Sequence, residues 1–261
     1  MKNWKTFIKN FFLRFNIYIT KKDKNEIYFF FKKIKIIDSG HELIRIGPNF
    51  DGGYLVPNIL DQIEFCFSPG VGNCSSFENN LSNYNIKSFL ADNTVDYFGK
   101  HNFIKKNLNS FSDEKNITLE DWVNEKISSR SNNNLLLQMD IEGSEIECLY
   151  NTSINCLDRF KIIIIEFHHF HYILNHLGLK IYNDLFDKIL KTHHIVHIHP
   201  NNVGPTLNIC SNEITNGYEI TFINKKDCKY VKKINYSLPH KYDYKNVSSL
   251  PDVKCAKIFY T

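Results

Sequence analysis

The chain has 261 residues, 43 % apolar and 23 % charged, which is enough for one folded α/β domain with a full core and excludes disordered and collagen-like classes. Its formal charge of +4 is uneven: residues 1–35 hold ten of the 32 Lys/Arg against Asp23 and Glu26, leaving 22 against 26, so the remainder is slightly acidic and lacks the basic face of a nucleic-acid enzyme. No run approaches the roughly 18 apolar residues of a spanning helix, residues 1–12 lack the pattern of a secretory signal, and the seven cysteines, scattered with no C-x-x-C pair, argue against a disulfide framework or a structural zinc site and for a reducing, cytoplasmic setting.

In chain order, Trp4, Phe7, Ile8, Phe11, Phe12 and Phe15 recur at helical spacing opposite Lys2, Lys5, Lys9, Asn10 and Arg14. This predicts a basic amphipathic arm within residues 1–41, followed by a catalytic domain over 42–261. The aromatic face of such an arm docks on its own domain, joins a second subunit as a homodimer, or lies peripherally on an anionic membrane. From residue 42 strand and helix patterns alternate, the signature of a doubly wound, mainly parallel sheet. Leu43–Ile46 and Tyr54–Val56 flank a Gly47-Pro-Asn-Phe-Asp-Gly-Gly53 loop suited to a hairpin or a cap over the sheet. Strands are predicted at 63–67, 86–91, 135–139, 161–167, 194–199 and 218–224, with a weak edge strand near 102–108. Helices are predicted at 76–84, at 118–127 with Thr118 as N-cap, and at 180–192. Residues 128–134 read as a polar loop.

Chemistry gathers at the carboxyl ends of these strands. The first core strand runs into Ser68-Pro-Gly70-Val-Gly72, a glycine turn opening onto a helix, where backbone N–H groups can approach a ligand. About 20 residues on, Asp92 ends the next strand, placed to accept hydrogen bonds from ribose hydroxyls. Turn and acid together indicate a nucleoside cofactor. Ser75 stands where a dinucleotide fingerprint has its third glycine, which favours S-adenosylmethionine over NAD. The strand 135–139 leads into Asp140-Ile-Glu142-Gly143-Ser144-Glu145; carboxylates crowded at a buried strand end need a cation, a substrate hydroxyl or donors. Glu145 suits the N-terminus of the following helix. The next strand ends in Glu166-Phe-His168, with Glu166 and His168 on one face turned toward Asp140. A later strand ends His197-Ile-His199-Pro-Asn-Asn202.

The set Leu-Ile-Arg45-Ile-Gly with Asp51-Gly-Gly-Tyr54, Phe-Ser-Pro-Gly-Val-Gly, Ala-Asp92, Thr118-Leu-Glu-Asp-Trp122, Gln-Met-Asp140-Ile-Glu-Gly-Ser-Glu145, Ile-Ile-Glu166-Phe-His and His-Ile-His199-Pro-Asn-Asn202 resembles the FkbM-like methyltransferases over about residues 42–224. The resemblance implies a Rossmann-like class I methyltransferase fold, an S-adenosylmethionine donor and methylation of hydroxyls on sugars, glycans or related small metabolites. Relatives more often carry an acid where this chain has Ser68.

The reading is therefore an S-adenosylmethionine-dependent O-methyltransferase. Ser68, Gly70, Gly72, Asp92 and Asp140 are expected at the cofactor, and Asp140, Glu166, His168 and His199 at the chemistry. Two designs serve the proton transfer: His168 or His199 as direct base, oriented by Asp140 or Glu166, or a divalent cation such as magnesium on Asp140, Glu166 and His168. The rival readings are a degenerate adenosylmethionine-binding module and a nicotinamide oxidoreductase.

Overall fold

The computed structural model describes residues 3–15, 24–127, 133–209 and 212–260. Along the chain run α1 (Asn3–Leu13), α2 (Lys24–Lys33), β1 (Leu43–Ile46), β2 (Tyr54–Pro57), β3 (Phe65–Pro69), α3 (Ser76–Ser82), β4 (Lys87–Ala91), β5 (Asn102–Ile104), β6 (Asn107–Leu108) and β7 (Asn116–Ile117). Then follow α4 (Leu119–Lys126), β8 (Leu135–Met139), α5 (Glu145–Asn151), α6 (Ile154–Leu157), β9 (Phe160–Phe167), α7 (His176–Ile189), β10 (His193–Pro200), β11 (Leu207–Ile209), β12 (Asn212–Ile214) and β13 (Tyr218–Asn224). The loop expected at 128–134 lies, up to residue 132, outside the described residues.

Seven strands form one sheet in the order β10-β13-β9-β8-β3-β4-β5. β13 is antiparallel to both neighbours and the other pairings are parallel. From β3 the chain winds outward through β4 to β5, then returns past β3 to β8 and β9. The switch leaves a crevice at the carboxyl ends of β3 and β8, where such sheets bind ligands. The edge strand near residue 102 pairs with β4 as β5.

Side-chain alternation divides the core in two. On one face Phe67, Leu135, Leu137, Ile163, Ile165 and Phe222 meet α2, α4, α5, α6 and α7. Helix α2, which lies inside the segment read as an arm, contributes Ile27, Phe30 and Phe31 to this core; the apolar side chains of α1, apart from the half-buried Phe12, are instead exposed, Trp4 and Phe7 by 57 and 71 %. On the other face Cys66, Leu136, Ile162, Ile164 and Ile223 meet α3 and the antiparallel β1–β2 hairpin. This second layer is a hairpin and one helix, thinner than the doubly wound reading expects, because residues 43–57 cover the area that a second row of helices would take.

Local signals explain most boundaries. Thr118 caps α4 by accepting from the Asp121 N–H at 3.0 Å. α7 begins four residues before the predicted 180, capped by Asn175, whose Oδ1 accepts from Gly178 N at 2.7 Å. Gly178 hides that first turn from a propensity reading and is required there, since a Cβ would stand 2.2 Å from the Tyr172 carbonyl oxygen. The β11–β12 hairpin was not foreseen.

Candidate functional site

The crevice begins at the glycine turn. Gly70 has φ +83°, and a Cβ there would lie 1.5 Å from the Asp140 carbonyl oxygen, so the β3 and β8 loops touch and only glycine fits between them. Asp92 closes the turn from β4: its Oδ2 accepts from Gly72 N–H at 2.9 Å, and its Oδ1 accepts from the N–H and hydroxyl of Thr94 at 2.7 and 2.6 Å. Three of its roughly four acceptor positions are thereby used, leaving capacity for one further hydroxyl and for a second if the Thr94 hydroxyl turns away. A cavity of about 430 Å³ joins Gly70, Gly72, Asp92 and Asp140, with Asn107 and Asn109 forming a wall the sequence did not reveal. That volume is within the range of small-molecule sites.

Ser68 does not reach this cavity. It is fully buried on the face shared with Cys66, its Oγ against Glu78 and 2.6 Å from Gln138 Oε1. One hydroxyl proton cannot serve two acceptors. Turning the Gln138 amide lets its NH₂ donate to Ser68 and its oxygen accept from the Tyr54 hydroxyl, and burial pushes the Glu78 carboxyl above its usual range. The expected cofactor contact through Ser68 is therefore replaced by an internal polar network under the turn.

Beyond Asp140 an acidic row crosses the sheet. Register places Glu166 of β9 beside Glu219 of β13 and Glu219 beside His199 of β10, while Asp140 follows Met139, the partner of Ile165. The hairpin loop adds Asp51, so that carboxylate oxygens of Asp51, Glu166 and Glu219 lie within 4.8 Å of one another. Amides hold them: Asn201 Nδ2 donates to Glu166 at 2.6 Å, and Asn246 Nδ2 donates to both Asp51, at 3.0 Å, and Glu219, at 2.5 Å. Arg45 shapes the loop that carries Asp51, donating to the carbonyls of Pro48 and Phe50 at 2.7 and 2.9 Å. Burial and mutual repulsion raise the acids. Asp140 is pushed up to about 8 by burial and then by Glu166; Glu166 rises to about 7 mainly by burial; Glu219 goes well above the carboxylate range for the same reasons.

His168 stands just past β9, among these acids. Its Nδ1 lies 3.1 Å from Glu145 Oε1, and its Nε2 lies 3.5 Å from Glu142 and 3.9 Å from both Asp140 and Glu166. Asp140, Glu166 and His168, which the sequence places at the ends of neighbouring strands, thus stand side by side. Burial alone would lower the imidazole, but the hydrogen bond and charge of Glu145, then Glu166 and Asp140, raise it to about 9. Glu145 does more than favour a helix end: the same oxygen accepts from the N–H groups of Ile141 and Gly143 at 3.1 and 3.0 Å, fixing the loop beneath His168. The loops on either side of His168 are strained, with Glu142 and His169 both at φ +56°, as functional loops often are.

His199 is not part of this group. It lies on β10, separated from β9 by β13, and faces Asp243 at 3.8 Å. Asp51, Glu219, Asn201 and Asn246 are the residues that sequence reasoning missed. A carboxylate at the second position of the largely apolar Tyr218–Asn224 strand was the available signal for Glu219.

The methyltransferase FkbM domain model matches residues 19–196, which include the glycine turn, Asp92, Asp140, Glu166 and His168. A search of curated proteins returns no match. With the seven-stranded sheet, its crevice at the β3/β8 switch and a family match over more than half its length, the chain belongs to the FkbM methyltransferase family.

Proposed function

We propose that the protein transfers a methyl group from S-adenosylmethionine to a hydroxyl of a sugar, glycan or related small metabolite. The observation that carries this reading is the cavity running from the glycine turn and Asp92 to Asp140 and Glu142, the two acids that His168 approaches at 3.9 and 3.5 Å. The adenosyl group fits the turn, with Asp92 accepting from the ribose. The sulfonium then points toward Asp140, whose carboxylate favours a cation. Methyl transfer is an in-line displacement, so the acceptor oxygen belongs on the far side, near Glu166 and Asp51, whose carboxyl groups hydrogen-bond the other hydroxyls of a polyol.

His168 is the base in this reading. As imidazolium it balances the surrounding carboxylates in the free enzyme; a bound sulfonium opposes that charge and favours loss of its proton, leaving Nε2 to accept the acceptor's proton. The magnesium design fits less well, because the hard ion prefers oxygen ligands and the Asp140 cluster has an imidazole at its centre.

Titration calorimetry with S-adenosylmethionine and NAD tests the donor; binding of NAD alone overturns the reading. His168→Gln and Asp140→Asn are expected to lower the single-turnover rate at saturating cofactor by about 10²-fold, on a panel of sugar acceptors scored by mass gain. Wild-type rates in both variants would move the chemistry elsewhere.

A further inference from the structure

The C-terminal segment meets β10 in a second polar cluster that the methyl-transfer site does not use. His197 and His199 alternate along one strand and point to the same face, toward Asp243. His197 Nε2 lies 2.9 Å and His199 Nδ1 3.8 Å from Asp243 Oδ1, and one ligand atom from each residue falls within 4.8 Å of the others. The side chains are 2, 7 and 5 % exposed respectively. Asp243 Oδ2 is occupied by the His240 N–H at 2.7 Å, which turns Oδ1 to the histidines.

The arrangement leaves buried nitrogens without partners. Neither ring nitrogen of His199 makes a hydrogen bond, and His197 Nδ1 makes none. Buried polar atoms are nearly always partnered, so His199, with neither ring nitrogen bonded and its Nδ1 facing the carboxylate, calls for a further occupant there. Two ligands bound to one zinc ion at about 2.0–2.1 Å with tetrahedral angles stand about 3.4 Å apart, and the observed 2.9 and 3.8 Å bracket that spacing.

We propose that His197, His199 and Asp243 bind a divalent ion of the zinc class. The cysteine pattern argued against a structural zinc site, but the donors here are imidazole and carboxylate instead of thiolate, a set that suits zinc better than magnesium. The ion pins the C-terminal segment to β10. That segment also carries Asn246, the donor to Asp51 and Glu219, so the ion sets the acceptor end of the crevice in place without taking part in methyl transfer. The proposal does not depend on the identity of the donor or the acceptor.

The test uses the full chain, stripped with chelator and titrated with Co²⁺ as a spectroscopic probe, then with Zn²⁺. The expected result is uptake of about one equivalent, visible d–d absorption that Zn²⁺ abolishes, and a Zn²⁺-dependent rise in Tm. His199→Ala and Asp243→Asn should weaken Co²⁺ uptake at least about tenfold, while His168→Gln leaves it unchanged. Asp243→Asn keeps the shape and an oxygen acceptor for His197, so it carries the test if His199→Ala does not fold. Wild-type uptake below about a tenth of an equivalent overturns the proposal. So does absorption that persists in the folded variants, or that disappears in His168→Gln, which would place the ion on the Asp140 cluster.

Discussion

Glu145→Gln isolates the device that sets the charge of His168. Glu145 is almost fully buried, and its Oε1 receives the imidazole Nδ1 and two backbone N–H groups at 3.0–3.1 Å. At about 4 Å between charge centres and an effective dielectric near 20, a carboxylate–imidazolium pair is worth about 4 kcal/mol. The ring is 21 % exposed and three other carboxylates remain, so the loss in the variant is smaller. A fall of about 1–2 pKa units, or about 1.4–2.7 kcal/mol, is expected from the value of about 9. The sign follows from linkage. With its folded pKa raised from 6.5 to about 9, His168 contributes stability that is fully present below pH 6.5 and lost as pH rises through 9. The variant's loss of this contribution should therefore be largest near pH 6.5 and fade above pH 9. NMR titration of the His168 Cε1–H resonance measures the shift directly, with denaturant unfolding across pH as the second readout. A His168 pKa within about 0.3 units of wild type would refute the claim that Glu145 holds the proton there.

Asp92→Ala should weaken S-adenosylmethionine binding by about 1.5–3 kcal/mol, roughly ten- to 150-fold, because it removes both the ribose acceptor and the anchor of Gly72; unchanged calorimetric affinity in a folded variant refutes the cofactor placement. Gly70→Ala should destabilise by at least about 2 kcal/mol, through the left-handed φ and the contact with the Asp140 carbonyl, and an unchanged denaturation midpoint would show that the two loops separate freely. Deleting residues 1–20 removes the exposed aromatic side chains of α1 and should leave cofactor affinity intact while reducing flotation with anionic vesicles or the dimer mass in light scattering; if neither changes, the arm has no such partner.

The sequence was most legible where physics is local. Four successive isoleucines favour a strand buried on both faces, Thr118 with Asp121 marks a helix start, and Gly70 with Asp92 marks a glycine turn closed by a carboxylate. Strand parity puts Glu166 and His168 side by side, and the same parity puts Ser68 on the buried face of Cys66 and His199 on that of His197. The rest was invisible because it is non-local. Asn246 meets Asp51 across 195 positions and Glu219 across 27, and no periodicity announces a pairing made by folding alone. The bulge between Ile195 and His197 likewise depends on pairing with β13, which sets the register that places His199 opposite Glu219.

The acidic row and the raised His168 have a joint consequence for binding. Near neutral pH the free site retains protons that ordinary carboxylates would have lost: Asp140 rises to about 8, Glu166 to about 7, and His168 holds its proton to about 9. These groups are close enough to titrate together, and what matters is the total the cluster holds. On the proposed reading, S-adenosylmethionine brings a sulfonium and an ammonium against one carboxylate, a net cation for a site whose protonation reflects an excess of negative charge. Its arrival favours ionised carboxylates and disfavours the imidazolium, and both effects expel protons. Binding between pH 7 and 8 should therefore release about one proton, and affinity should rise with pH through this window. Calorimetry in two buffers of different ionisation enthalpy reads the release directly. S-adenosylhomocysteine, which lacks the sulfonium charge, should release fewer protons from the same pocket. Equal release with both ligands, or net proton uptake, would mean that the sulfonium does not lie beside Asp140 and His168, and the direction of methyl transfer across the crevice would have to be reversed.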